Sequence, residues 1–129
     1  KRGILNAQLS YLLAALGHKD LFMIGDAGMS IPEDVEVVDL VLTAGVPTFK
    51  QVMDAVLDEV QIEGYYLAHE IKEFNPELEE YIKTSLPDAE VEYMPHEDLK
   101  KFSNKCRFAI RTGEFSPYPN IILRAGAVF

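Results

Sequence analysis

Short apolar runs alternate with helix patterns along this chain, and this alternation constrains the fold more than any other feature. Leu21–Ile24 is a short, continuous apolar run, which is typical of a strand covered on both faces of a sheet. Further strands are predicted where β-branched and aromatic residues cluster. These runs are Val35–Leu42, Tyr65–His69, Val91–Met94, Phe108–Ile110 and Ile121–Leu123.

Helices are predicted between these runs. Asn6 suits the N-cap of a first helix, and Gly17 is expected to end that helix in a left-handed conformation. Pro47 suits the first turn of a second helix. Both helices carry apolar side chains at the spacing of one helix face: Leu9, Leu12, Leu13 and Leu16 in the first, and Phe49, Val52, Met53, Val56, Leu57 and Val60 in the second. Two further helices are predicted at 75–86 and between Pro95 and Lys105.

Helices and strands that alternate with short connections indicate an α/β fold. We predict a single three-layer domain over residues 1–129, with a mostly parallel central sheet flanked by helices. The chain is 48% hydrophobic, which is enough for one well-formed core.

Charge and cysteine content narrow the classes of partner and compartment. The 21 acidic residues outnumber the 12 basic ones, giving a net charge of -9. Such a field repels phosphate backbones and anionic membranes, so neither nucleic acid nor a membrane surface is an expected partner. Cys106 is the single cysteine, which suits a reducing cytoplasm. No apolar run approaches the roughly 18 residues of a membrane span, and we expect no signal peptide and a cytoplasmic protein.

The corner 17–32 places His18 and Asp26 at opposite ends of the Leu21–Ile24 strand. Ligands of open α/β sheets bind outside the carboxyl ends of the strands. Asp26, Glu70 and the loop 111–120 follow strands directly and are expected at that edge. His18 precedes its strand, so within one subunit it should lie at the other edge. The two side chains could meet across a subunit contact, or within one chain if the predicted boundary between helix and strand is wrong.

Each candidate has a purely structural alternative. His18 could cap the preceding helix, and Asp26 could cap its own turn. His96 either caps the short helix that follows Pro95 or reaches a pocket, and the sequence leaves both open. The glycines at 25 and 28 do not complete a dinucleotide-binding pattern, and the three histidines match no zinc spacing, so no metal site is expected.

The loop 111–120 combines prolines, aromatic rings, an arginine and an amide. Pro117 and Pro119 restrict the backbone around Tyr118, so little entropy would be lost there on binding. The Tyr118 hydroxyl and the Asn120 amide can both donate and accept hydrogen bonds, which suits a neutral polyhydroxyl ligand. The alternative is a rigid strand connection in which Asn120 caps the turn.

Taken together, these segments carry a resemblance that runs from end to end of the chain. The matching segments are Gly3–Asn6, Leu16–Asp20, Ile24–Gly28 and Ile110–Leu123, with Gly126 and Phe129. On them the sequence resembles the RbsD/FucU-type family of sugar mutarotases. The C-terminal block is specific, whereas the histidine and aspartate segments are weak when taken singly.

The resemblance implies a cofactor-free isomerase that interconverts the pyranose and furanose forms of D-ribose. It places His18 on the family's catalytic histidine. The positions that bind the monosaccharide correspond to Asp26, His96, Tyr118, Pro119 and Asn120. It also implies a ring-shaped homo-oligomer, a decamer of two pentamers, with pockets between neighbouring subunits.

Two departures from the family pattern leave the preferred sugar open. Met29–Pro32 replaces a more usual Leu-Pro pattern, and Pro119 stands where a small residue is common. Asp26-Ala27-Gly28 nevertheless favours the ribose branch over the fucose branch. The alternatives are a mutarotase for fucose or another monosaccharide, and a ribose-binding protein without catalysis.

Overall fold

Six strands form one sheet in the computed structural model of this chain, which describes residues 2–127. They are β1 (Leu21–Gly25), β2 (Glu36–Asp39), β3 (Ile62–Ala68), β4 (Glu90–Met94), β5 (Phe108–Arg111) and β6 (Ile121–Ala125). Their order is β2-β5-β1-β6-β3-β4. Only β6 runs antiparallel to its neighbours, β1 and β3, so the sheet is mostly parallel as predicted. Phe129, part of the terminal resemblance, lies outside the described residues.

Helices cover both faces of the sheet. They are α1 (Ala7–Ala14), α2 (Phe49–Leu57), α3 (Ile71–Phe74), α4 (Pro76–Ser85) and α5 (His96–Phe102), followed by a 3₁₀ turn at Ser103–Lys105. The first four helices pack on one face of the sheet, and α5 packs on the other. The predicted three-layer α/β class is therefore confirmed. Among the described residues, no helix is both long and apolar enough to cross a membrane.

Strand β1 lies at the centre of both cores. Phe22 and Ile24 point into the larger core, whereas Met23 points into the core beneath α5. Phe22 stacks on Phe108 of β5 with ring centroids 5.1 Å apart. The alternation explains the continuous apolar run, because a strand buried on both faces has no solvent side.

The corner after α1 differs from the prediction. The Asn6 side chain accepts the Leu9 N–H at 2.8 Å, so the predicted N-cap is confirmed. The helix ends at Ala14, however, and Lys19 rather than Gly17 takes the left-handed conformation, at φ +74°. The Asp20 carboxylate accepts the Gly17 N–H at 2.7 Å, and the Asp20 N–H donates to the Gly17 carbonyl at 3.1 Å. These two bonds close a turn that presents His18 at its tip.

The start of α2 and the end of β2 also differ. Pro47 was expected in the first helical turn, but α2 begins at Phe49 after the N-cap Thr48. Thr48 and Gln51 form a reciprocal capping box, which fixes the start of the helix two residues after Pro47. β2 ends at Asp39 instead of Leu42, because its pairing partner β5 ends opposite it at Arg111. Leu42 is left 80% exposed.

Cys106 lies in the core beneath α5. Burial raises the pKa of its thiol to about 12. The neighbouring basic residues Lys105 and Arg107 therefore do not make it a reactive thiol, and it packs as a small apolar side chain.

Candidate functional site

Asp26 and Asn120 meet at the carboxyl edge of the sheet, although 94 positions separate them in the sequence. Asp26 follows β1 and Asn120 precedes β6, and the antiparallel pairing of Ile24 with Ile121 brings the two side by side. The Asp26 N–H donates to Asn120 Oδ1 at 3.0 Å, and Asn120 Nδ2 donates to Asp26 Oδ2 at 3.3 Å. Asn120 is 1% exposed, so its amide orientation is fixed by these bonds.

The Asp26 carboxylate keeps acceptor capacity beyond these contacts. Its Oδ1 accepts the Gly28 N–H at 2.8 Å, which confirms the predicted turn-capping role. An ionised carboxylate has about four acceptor positions, and the hydrogen bonds from Gly28 and Asn120 occupy two of them. The side chain is partly exposed. Turn capping and the binding of a hydroxyl group are thus compatible.

Tyr118 is held in an unusual backbone conformation, at φ +53°. A left-handed conformation costs a non-glycine residue roughly 1–2 kcal/mol, so the surrounding contacts must determine it. The Asn75 amide donates to the Pro117 carbonyl at 2.8 Å, and the Tyr118 ring packs against Phe74 with centroids 5.7 Å apart. Pro119, next to it, is buried. The predicted rigidity of this loop therefore comes from packing as well as from its prolines.

His96 stands beside Tyr118 at the same edge. It is the first residue of α5, and its N–H donates to both carboxylate oxygens of Glu70, at 3.0 and 3.2 Å. Glu70 is therefore the capping group, and the alternative in which His96 caps this helix is wrong. The His96 ring meets the Tyr118 ring edge to face at 5.2 Å, and its buried Nδ1 has no hydrogen-bond partner among residues 2–127. Packing rather than hydrogen bonding sets the orientation of this ring.

His18 lies at the opposite edge of the sheet. Lys19, Asp20 and the five residues of β1 lie between it and Asp26, and β1 alone spans about 17 Å at the usual rise per residue. Its Nε2 lies 2.6 Å from Glu63 Oε1 at the start of β3, so its side chain does not cap α1. The expected separation of His18 from Asp26 within one chain is confirmed, and the helix-cap alternative is wrong.

A shallow cavity of about 690 Å³ opens at the His18 edge. The end of α1, the segment 57–61 and Ala125–Ala127 line it, together with Glu63. His18 does not line it, and its side chain is 51% exposed. A histidine that faces solvent beside a cavity lacks a closed site within its own chain.

Two charged residues near His18 were not predicted from the sequence. Glu63 sits in a predicted helix-to-strand connection, and Arg124 continues β6 beyond its predicted end. Their contact depends on the pairing of β3 with β6, which no local pattern encodes. The local signal that the sequence offers is the charged residue Glu63 directly before Gly64. No cluster of three histidine, cysteine or carboxylate side chains that could hold a metal ion occurs within residues 2–127.

The carboxyl edge of a three-layer sheet, lined here by hydrogen-bonding groups, is where α/β proteins commonly bind small polar molecules. The chain belongs to the family described as the RbsD / FucU transport protein family, which it matches over residues 1–128. It is 50% identical to a D-ribose pyranase of Limosilactobacillus fermentum, over 100% of this chain and 98% of that protein. It is 46% identical to a D-ribose pyranase of Clostridium novyi, over the same shares of both chains.

Solved structures agree with this assignment. The structure of Bacillus subtilis RbsD complexed with D-ribose superposes with a TM-score of 0.96 at 40% identity, covering 100% of this chain and 98% of that one. A fucose mutarotase from Streptococcus pneumoniae, in complex with L-fucose, gives a TM-score of 0.75 at 20% identity, covering 97% and 95%. The second likeness concerns the fold alone.

Proposed function

We propose that this chain is an isomerase that interconverts the pyranose and furanose forms of D-ribose, as a D-ribose pyranase does. The observation that carries this proposal is the full-length likeness to ribose-bound RbsD, at 40% identity. It is supported by the geometry of the carboxyl edge, where Asp26, His96, Tyr118 and Asn120 gather.

The edge groups match the hydroxyls of a monosaccharide. Asp26 has free acceptor positions for one or two sugar hydroxyls. Tyr118 and His96 add a phenol and an imidazole beside a buried, rigid backbone at Pro119. Asn120 orients Asp26 from the interior. Groups fixed before binding lose little entropy when the sugar arrives.

The reaction needs only proton transfers. To open the ring, a base takes the proton of the anomeric hydroxyl while an acid protonates the ring oxygen. A different hydroxyl then closes on the aldehyde, with the protons returned. We assign the acid/base role to His18, because an imidazole exchanges protons readily near neutral pH. Positioned proton transfer contributes about 10²- to 10⁴-fold, which is sufficient for a reaction that also proceeds slowly in water.

The proposed pocket is shared between subunits. His18 and Asp26 lie at opposite ends of β1 in one chain, so a site that contains both requires the edge of a neighbour. We propose a ring-shaped homo-oligomer, a decamer of two pentamers, that works in the cytoplasm, where a free thiol such as Cys106 stays reduced. Light scattering after gel filtration should then give a mass near ten times the 14.5 kDa of one chain. A monodisperse monomer would contradict the shared pocket.

The activity is tested by exchange spectroscopy on sugars at equilibrium. We expect the protein to accelerate pyranose–furanose exchange of D-ribose well above the rate in buffer, and to act more slowly on L-fucose. Ribose binding without faster exchange would leave a sugar-binding protein instead of an enzyme. Faster exchange of fucose than of ribose would show that fucose is the preferred substrate. The departures from the family pattern at Met29–Pro32 and Pro119 would then be the expected cause.

A further inference from the structure

The side chains beside His18 form a continuous hydrogen-bonded chain. His18 Nε2 lies 2.6 Å from Glu63 Oε1. Arg124 Nε donates to the other oxygen, Oε2, at 2.8 Å. Arg124 Nη1 in turn donates to the Tyr66 hydroxyl at 2.8 Å. Both oxygens of Glu63 are thus engaged, one by the histidine and one by a fixed cation.

Local backbone features of β3 build this arrangement. The pairing of β3 with β6 shifts register between Ile62 and Gly64, an irregularity that re-aims the side chain of the intervening Glu63. Gly64 pairs with Arg124 across the two strands. A Cβ atom at Gly64 would lie 2.4 Å from Arg124 Nη2, so the glycine leaves the space in which the guanidinium lies. The sequence Glu63-Gly64 therefore determines where the Arg124 guanidinium lies as well as where the Glu63 carboxylate lies.

The chain of bonds fixes where the His18 proton resides. The hydrogen bond from His18 is the largest influence on the pKa of the Glu63 carboxyl and lowers it. Desolvation opposes this effect, but the hydrogen bond from Arg124 also lowers the pKa, which therefore lies below its usual range. An ionised carboxylate only accepts hydrogen bonds. Nε2 must therefore carry a proton, and in the neutral ring the lone pair lies on Nδ1. The histidine has one tautomer available instead of two.

We propose that Glu63 is a positioning residue, which holds His18 with Nε2 protonated so that Nδ1 exchanges protons with the sugar. This inference rests on the proposed function. Glu63 itself does not need to touch the sugar. Arg124 and Tyr66 keep the carboxylate in place, and the exposed Glu90, 3.5 Å from Arg124 Nη2, lies at the periphery.

The test is the Glu63→Gln variant, examined in the assembled protein by two measurements. ¹⁵N NMR of labelled histidine reports the tautomer of the neutral His18 ring directly. We expect a protonated Nε2 and a bare Nδ1 in the wild type, and loss of that preference in the variant, because an amide can also donate to Nε2. Ribose exchange kinetics should show kcat reduced by roughly tenfold or more, as for a histidine in the wrong tautomer, with KM changed less than about twofold.

Glu90→Gln is the matched control, because it removes the same charge from a neighbour of Arg124 that does not contact His18. It should leave both the tautomer and kcat as in the wild type. A wild-type His18 ring protonated on Nδ1, or a Glu63→Gln enzyme with unchanged kcat, overturns the role of Glu63. Failure of the wild type to accelerate ribose exchange would instead overturn the proposed function, and the tautomer measurement would still decide the position of the proton.

Discussion

Replacing His18 with alanine should slow pyranose–furanose exchange of D-ribose by about 10²- to 10⁴-fold, the usual contribution of a positioned acid/base group. Ribose binding should persist, because the proposed sugar-binding groups come from the other edge of the sheet. Stability should change by no more than about 0.5 kcal/mol, since the side chain is 51% exposed and Glu63 keeps its bond to Arg124. Exchange spectroscopy measures the rate, and calorimetry measures binding.

His69→Ala is the matched control for this prediction. His69 is exposed and stacks on Tyr93 with ring centroids 5.9 Å apart, outside the proposed site. Its replacement should leave exchange at the wild-type rate. Exchange at that rate in His18→Ala would remove His18 from the mechanism.

Assemblies that mix two kinds of variant subunit test whether each pocket is shared between neighbours. Asp26→Ala subunits should be inactive, as His18→Ala subunits are. If His18 and Asp26 reach one pocket from neighbouring subunits, roughly a quarter of the pockets in an equal mixture regain both groups on reassembly. Recovered activity therefore supports the shared site, and complete absence of recovery contradicts it.

Strand direction explains why the sequence could predict which edge of the sheet each candidate residue occupies. The apolar run of β1 identifies a strand, and the residues before and after it must then lie at opposite edges. This reasoning placed His18 and Asp26 correctly without any knowledge of pairing partners. It also placed Glu70 at the carboxyl edge, where it now caps α5.

Contacts between distant segments could not be predicted in the same way. The bond between Asp26 and Asn120 depends on β6 lying antiparallel beside β1, and composition does not reveal strand order. The His18–Glu63 contact likewise needs the irregular register of β3 against β6. The start of α2 is a different case. Thr48 and Gln51 have the spacing of a capping box, a local signal that outweighed the preference of Pro47 for a first turn.

Changing Asn120 to aspartate should destabilise the fold by about 2 kcal/mol at pH 7, because it buries a second carboxylate against Asp26. The two side chains are 3.3 Å apart in the wild type, and position 120 is 1% exposed. Burial and the like charge both raise the pKa of the new carboxyl above its unfolded value. Its protonated form is then favoured in the folded state, so the loss of stability is small at low pH and grows as the pH rises. Urea unfolding at pH 4 and pH 7, at one protein concentration, measures the difference.

Exchanging the two side chains separates charge from shape. In the double variant Asp26→Asn/Asn120→Asp one carboxylate and one amide again face each other, so the part of the loss at pH 7 that comes from the two like charges should return. An equal loss at both pH values, or no recovery in the double variant, would contradict the electrostatic explanation. Ribose exchange should nevertheless stay slow in the double variant, because its single carboxylate now lies in the interior at position 120. Stability recovers when the pair is complementary, whereas sugar binding needs the charge on the partly exposed side chain at position 26.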